Sequence, residues 1–148
     1  LQKTPEYTVD NGLERHPRWG SARLTRHHRL LLRVMGTEDG IEVDVHERQS
    51  VVLGRLDPLT DQVPDVDLGV YNGAALGVSR QHARLGLVED TLHITDLGST
   101  NGTFLNGKRL KTSQWHVLRD GDEIRLGGLK LHVLFVEAPD RNAPSSAR

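Results

Sequence analysis

The apolar positions of the chain come in short runs broken by turn-forming residues, and where a period is visible it is two. Leu30-Leu31-Leu32-Arg33-Val34 is a compact run closed by Gly36, and Ile41-Glu42-Val43-Asp44-Val45 alternates as a half-buried strand does. Ser50 to Leu53 is a further run ended by Gly54. Ala83 to Val88 and Thr91 to Thr95 flank Glu89-Asp90, which predicts a hairpin. Thr103-Phe104-Leu105 and Lys108-Arg109-Leu110 flank Asn106-Gly107, the strongest short hairpin signal. Glu123 to Leu126 and Leu129 to Val136 flank Gly127-Gly128 in the same way. No window carries a helical period over roughly three turns. Roughly ten short, evenly spaced strands predict an all-β fold, an antiparallel β-sandwich whose inter-strand loops carry function.

The two ends read differently. Residues 1–29 have sparse apolar positions without period and six basic against three acidic side chains, so they are expected to form a flexible basic arm or linker. Tyr7 and Trp19 within it are candidate anchors to a folded surface. Residues 138–148 are rich in Pro, Ser and Asn and are expected to be a disordered tail, leaving residues 30–137 as the folded domain. That stretch holds 11 basic and 16 acidic side chains, so the net charge of −1 for all 148 residues hides an acidic domain behind a basic arm. The only Met is Met35 and position 1 is Leu, which predicts a processed product or a piece of a longer protein; no signal-peptide pattern is visible at this start.

Composition excludes several classes of function. No apolar stretch approaches about 18 residues, so no transmembrane helix is expected and no membrane partner. Cys is absent, which excludes a disulfide scaffold, a thiolate metal site and a cysteine nucleophile, and fits a reducing, cytoplasmic setting. A near-neutral total charge argues against nucleic acid as a bulk partner, and the basic arm has too few aromatics to stack bases. Eight His are scattered without a ligand spacing, so no metal site is expected.

Three loop segments carry the chemistry: Gly54-Arg55 after a strand, Gly77-Val78-Ser79-Arg80-Gln81-His82 before one, and Asp96-Leu97-Gly98-Ser99-Thr100-Asn101-Gly102-Thr103 between two. Together they offer two guanidinium groups, several hydroxyls and glycine-rich backbone, an inventory suited to an oxyanion and to phosphate above all. Each also has an ordinary use: Arg55 as an edge cap, Ser79 and Thr100 as turn hydroxyls, Asn101-Gly102 and Asn106-Gly107 as turn formers. Two enzyme motifs nearly match. Gly102 to Lys108 has the spacing of a phosphate-binding P-loop, but Arg109 stands where a Ser or Thr is required and a hairpin follows instead of a helix. Gly77-Val78-Ser79-Arg80-Gln81 lacks the last glycine of a nucleophile elbow, and no carboxylate is placed to orient a Ser79–His82 dyad. The chain is therefore not expected to be an enzyme, and no cofactor is implied.

The set Gly54-Arg55, Ser79-Arg80-Gln81-His82, Asp96 to Thr103, Asn106-Gly107 and Leu118-Arg119-Asp120-Gly121-Asp122, in that order, resembles the forkhead-associated (FHA) domain, a phosphothreonine-binding β-sandwich. The resemblance covers about residues 30–137 and implies eleven strands in two sheets with the binding loops at one apex. It implies that Arg55 makes charge-assisted bonds to the phosphate, that Ser79 and Thr100 donate hydroxyl bonds, and that Arg80 adds a contact or a field. Asn101 would hold the peptide backbone. His82 would be a buried strut between the loops, and Gly54, Gly102 and Asn106 would support the site structurally. In some members a basic residue two places before the motif serine selects an acid three places after the phosphothreonine; Gly77 stands there, so that route is absent. The long acidic stretch Leu56 to Leu76 would form a wall of the groove.

What the resemblance implies is a binding module of bacterial style in Ser/Thr kinase signalling, its mark written by a kinase and erased by a phosphatase. The alternative is a phosphate-independent assembly or dimerisation module. Thr4, Thr8 and Thr25 raise a further expectation, that a phosphorylated arm folds back into the groove as an intramolecular off-switch.

Overall fold

The computed structural model describes residues 20–139. Eleven strands lie among them: β1 His28–Val34, β2 Gly40–Val43, β3 Ser50–Gly54, β4 Val66–Asp67, β5 Gln81–Val88, β6 Thr91–Asp96, β7 Thr103–Leu105, β8 Lys108–Arg109, β9 His116–Val117, β10 Glu123–Leu126 and β11 Leu129–Glu137. They form a five-stranded sheet in the order β9-β6-β5-β3-β4 and a six-stranded sheet in the order β2-β1-β11-β10-β7-β8. Every pairing is antiparallel except β3 with β4. The sandwich predicted from the apolar pattern is the fold observed.

The period of two explains the core. Leu30, Leu32 and Val34 of β1, Ile124 and Leu126 of β10, and Leu129, Leu131 and Val133 of β11 are buried on the inner face of one sheet. They meet Val51, Leu53, Leu85, Leu87, Leu92 and Ile94 from the other. Two of the three predicted hairpin corners have paired positive φ: Glu89 and Asp90 at 50° and 66°, Asn106 and Gly107 at 50° and 87°. Two successive residues of positive φ match the twist of the flanking strands, so the β5–β6 and β7–β8 hairpins keep their register.

Two expectations change. The strand predicted over Ile41–Val45 stops at Val43, because Asp44 caps a one-turn helix, α1 (Val45–Arg48), by accepting from the Glu47 amide at 3.3 Å. The arm expected over residues 1–29 is replaced by packed chain over residues 20–29. Leu24 is fully buried, its amide donates to Asp90 O at 2.6 Å, and Arg23 bridges Thr91. One leucine in a polar stretch is enough to anchor it once a hydrophobic socket is offered. Tyr7, Trp19 and the rest of residues 1–19, like the tail from residue 140, lie outside the described residues.

The strand directions define two poles. The ends of β3 and β6, the starts of β5 and β7, and the Gly127-Gly128 turn between β10 and β11 meet at one, the apex. Gly20, Glu89-Asp90, Asp120 and the end of β11 meet at the other. There Gly20 N donates to Asp120 O at 3.1 Å and Ala138 N to His27 O at 2.7 Å.

Candidate functional site

Three of the apex loops are pinned by backbone and side-chain bonds that their own residues make necessary. A bulge between Leu53 and Gly54 shifts the β3–β5 register, and the strands approach so closely that a Cβ on Gly54 would stand 1.9 Å from Arg80 O. Only glycine fits. The close approach lets Arg55 N donate to Arg80 O at 3.2 Å, which places the next side chain. Arg55 is half-buried and its Nε donates to Val78 O at 2.6 Å. Among the described residues its two terminal nitrogens have no hydrogen-bond or ion-pair partner, so a locked guanidinium keeps a free fork of donors.

Ser79 and His82 join this loop to the next. The Ser79 amide donates to His82 Nδ1 at 3.0 Å, so Nδ1 is the acceptor and the ring proton sits on Nε2, which donates to Gly102 O at 2.9 Å. His82 is fully buried. Burial pushes its pKa down, and the Gly102 carbonyl and the Asp96 charge offset this only in part, so the ring is neutral. The Ser79 hydroxyl accepts from Thr100 N at 3.1 Å and keeps its own proton to donate. Thr100 and Asn101 are exposed, and Asn101 Nδ2 donates to Gly77 O at 3.0 Å. Gly77 has φ of +85°, and a Cβ there would meet Asn101 Nδ2 at 2.5 Å, so the basic side chain absent from this position would also be excluded by its geometry.

The third loop hangs on a residue to which the sequence reading gave no role. Asp96, 2% exposed at the end of β6, accepts from five donors. These are Gly98 N at 2.9 Å, Ser99 N at 3.1 Å, Ser99 Oγ at 2.6 Å, Thr103 Oγ1 at 2.7 Å and Thr112 Oγ1 at 3.2 Å. Burial raises its pKa, but the bonds from Ser99, Thr103 and the Gly98 and Ser99 amides outweigh that and hold the carboxyl below the ordinary carboxylate range. Ser99 Oγ in turn accepts from Gly102 N at 2.9 Å. Ser99 is thereby used inside the loop, while Thr100 beside it is presented to solvent. Asp-x-Gly-Ser after a strand is the available signal, since a short acid there closes a turn on amides two and three residues ahead.

Not every expected residue joins the apex. Arg80 is exposed and its Nη1 stands 3.5 Å from Asp57 Oδ2, so its charge is shared with a carboxylate of the Leu56–Leu76 stretch. Asn106 lies at the far end of β7 instead of beside the loops. Its Nδ2 donates to Asp122 at 2.9 Å and its Oδ1 accepts from Glu123 N at 2.9 Å, because the Asn-Gly corner closes the hairpin one strand length from Gly102. Asn106 thus braces the β7–β8 corner against β10 and is not among the residues brought together at the apex. Within Leu56–Leu76, Asp67 caps a 3₁₀ turn (Leu68–Tyr71) and a Cβ on Gly69 would lie 3.7 Å from Arg55 Cβ, so this turn flanks the base of the Arg55 side chain.

The arrangement is one of donors: an arginine fork, two hydroxyls and nearby amides. It suits a tetrahedral oxyanion. His82 has both ring nitrogens engaged, and among the described residues no cluster of three or more His, Asp or Glu is placed to hold a metal.

Comparison with known proteins points the same way. The FHA domain family model matches residues 51–127. The chain is 34% identical over 104 residues to the protein FraH of Nostoc, covering 70% of this chain and 35% of that one. It is 36% identical over 76 residues to the glycogen accumulation regulator GarA of Mycobacterium tuberculosis, covering 51% and 42%. The matched part thus spans about a third to two fifths of the length of these relatives. A solved structure from a structural and functional analysis of phosphothreonine-dependent FHA domain interactions superposes with a TM-score of 0.55 at 26% identity, covering 76% of this chain and 99% of that one.

Proposed function

The chain belongs to the FHA domain family, and from that premise we propose that it is a phosphothreonine-dependent peptide-binding module acting in Ser/Thr kinase signalling. The carrying observation is the free fork of Arg55 beside the donor hydroxyl of Ser79, in loops tied to each other by a neutral, buried His82. A phosphate of about −1.5 to −2 charge supplies several acceptor oxygens for that set. Thr100 adds a hydroxyl, Asn101 holds the peptide backbone, and Arg80 contributes a field weakened by Asp57. A kinase writes the mark and a phosphatase erases it; the module binds and does not catalyse.

Calorimetry with matched phosphothreonine and unphosphorylated peptides tests this. Binding confined to the phosphorylated form and abolished by Arg55→Ala is expected. Ser79→Ala or Thr100→Ala should weaken it by about 2 kcal/mol each. Equal affinity for both forms, or no loss with Arg55→Ala, refutes the reading.

The fold-back switch depends on where the arm starts. Gly20 sits at the pole opposite the apex, and β5, eight residues long, sets a height of about 27 Å. The twelve residues from Thr8 to Gly20 span at most about 40 Å, enough to reach the apex of the same molecule. Thr25 is different: between buried Leu24 and β1 it is fixed at the wrong pole, and it is dropped as an intramolecular ligand. Phosphorylation of Thr4 or Thr8 should weaken peptide binding, and unchanged affinity ends the idea.

Phosphate-independent dimerisation has one observation in its favour. Trp115, 48% exposed, lies over Gly86 beside Val88 in an apolar hollow of about 400 Å³ on the outer face of the five-stranded sheet. A dimer seen by light scattering and abolished by Trp115→Ala, with no phosphopeptide binding, would favour it.

A further inference from the structure

We propose, on the premise that the apex holds a phosphothreonine, that a row of cations on the outer face of the six-stranded sheet takes an acidic flank of the bound peptide. The register sets Arg109 opposite Phe104, Phe104 opposite Arg125 and Arg125 opposite Lys130. The alternating Thr103, Ile124, Leu126, Leu129 and Leu131 are buried, so this row faces outward. Strand spacing makes it about 14 Å long, the reach of about four residues of extended peptide. The Phe104 ring organises it: Arg125 Cζ lies 3.8 Å and Arg109 Cζ 5.8 Å from the ring centroid.

The row is continuous with the apex. A Cβ on Gly102 would meet the Arg109 guanidinium carbon at 2.9 Å, so Arg109 packs directly under the Asn101-Gly102 loop. Arg125 Nη1 donates to Gly127 O at 2.7 Å, and Gly127 N donates to Gly102 O at 2.9 Å. Among the described residues Arg109, Arg125 and Lys130 have no carboxylate within ion-pair distance, and Arg125 is held in place by the Gly127 carbonyl and the Phe104 ring. In a domain with 11 basic and 16 acidic side chains, this places three adjacent cations directly beside the anion site. Glu123, opposite His132, borders the row on one side. Nucleic acid fits less well: Arg125 covers a face of the half-buried Phe104, which removes a stacking platform, and the row is too short to follow a phosphate backbone.

The test uses three phosphothreonine peptides that differ only in the four residues before or after the modified position: neutral on both sides, acidic before, or acidic after. One acidic peptide should bind about three- to tenfold tighter than the neutral one at low ionic strength, with the advantage fading near about 0.5 M salt. The double variant Arg109→Gln, Lys130→Gln should lose that advantage, and Lys130→Gln alone should reduce it while keeping its affinity for the neutral peptide. Lys130→Glu, at an exposed strand position, should remove most of the advantage even if Arg109 variants fold poorly. Equal binding of all three peptides, or an advantage that survives the double variant and Lys130→Glu, overturns the inference while the phosphothreonine reading stands. Failure of every peptide to bind overturns that reading and the inference with it. A single-stranded oligonucleotide that binds through the row, with no flank preference among the peptides, overturns it in favour of nucleic acid.

Discussion

Gly54→Ala isolates how much of the site rests on one close approach. The added methyl would stand 1.9 Å from Arg80 O, 2.7 Å from Arg80 C and 3.1 Å from Ser79 O, all backbone or carbonyl atoms with no side-chain freedom. An ordinary carbon–oxygen contact needs about 3.2 Å, so β3 and the 79–81 segment must separate by about 1.3 Å. That displacement breaks the 3.2 Å bond from Arg55 N to Arg80 O and moves the guanidinium away from Ser79. Overpacking of this kind costs about 1–3 kcal/mol of stability, or a fall in Tm of about 4–12 °C for a domain of this size. Affinity for a phosphothreonine peptide should fall further than stability does. Arg55 and Ser79 can no longer grip one phosphate together, and losing one charge-assisted bond costs about 1.5–3 kcal/mol, ten- to more than a hundredfold. Thermal unfolding and peptide calorimetry on the same sample read the two effects separately. A Tm within about 1 °C of the parent refutes the packing argument. A lower Tm with unchanged affinity refutes only the claim that this contact aligns the binding groups.

Three further outcomes follow from the bonds around the apex. His82 has a lowered pKa in the folded state, so its contribution is fully present above the unfolded value of about 6.5 and is lost as pH falls through the folded value. Protonation also turns Nδ1 from acceptor to donor against the Ser79 amide, so phosphopeptide affinity should drop as pH falls through the lowered folded value, and a His82→Asn variant should show a flatter profile. Asp96→Asn removes the charge from a carboxylate with five donors and should cost about 3 kcal/mol in denaturant unfolding, with the parent's Asp96 contribution lost only in acid, below about pH 4. Asp57→Asn releases Arg80 and should tighten phosphopeptide binding about two- to fivefold; tightening that persists at about 1 M salt would contradict an electrostatic cause.

The sandwich was legible because each device that builds it is local. Alternation in Ile41-Glu42-Val43, the Asn106-Gly107 corner and the Gly127-Gly128 turn each act over a few residues, and their spacing alone sets strand count and polarity. The loops of the site were legible for the same reason, as compositions rich in glycine, hydroxyl and guanidinium. What escaped depends on distant partners. Leu24 reads as a stray apolar residue until the socket beneath Asp90 and Thr91 exists to receive it. Asp96 was legible as the start of a turn on Gly98 and Ser99, but its bonds from Thr103 and Thr112 are brought to it only by the fold. Arg80 and Asp57, 23 residues apart, meet because β3 and β5 are neighbours. Asn106 was placed at the site by its motif, whereas β7 carries it to the opposite end of a strand.

The antiparallel pairing of β1 with β11 sets the mechanics of the domain. His28 is registered with Glu137 and Val34 with Leu131, so the two outer segments of the described chain leave side by side at the pole away from the apex. A pull applied to both flanks together must first free Gly20 from Asp120 and draw out the buried Leu24, and only then peels this ladder one rung at a time from His28. Tension drawn between a partner held at the apex and either flank instead runs along the strands and must shear many rungs at once. Leu24 would then act as a latch: while it stays seated the ladder is protected from the flanks, and once it is drawn out the sheet opens from that pole.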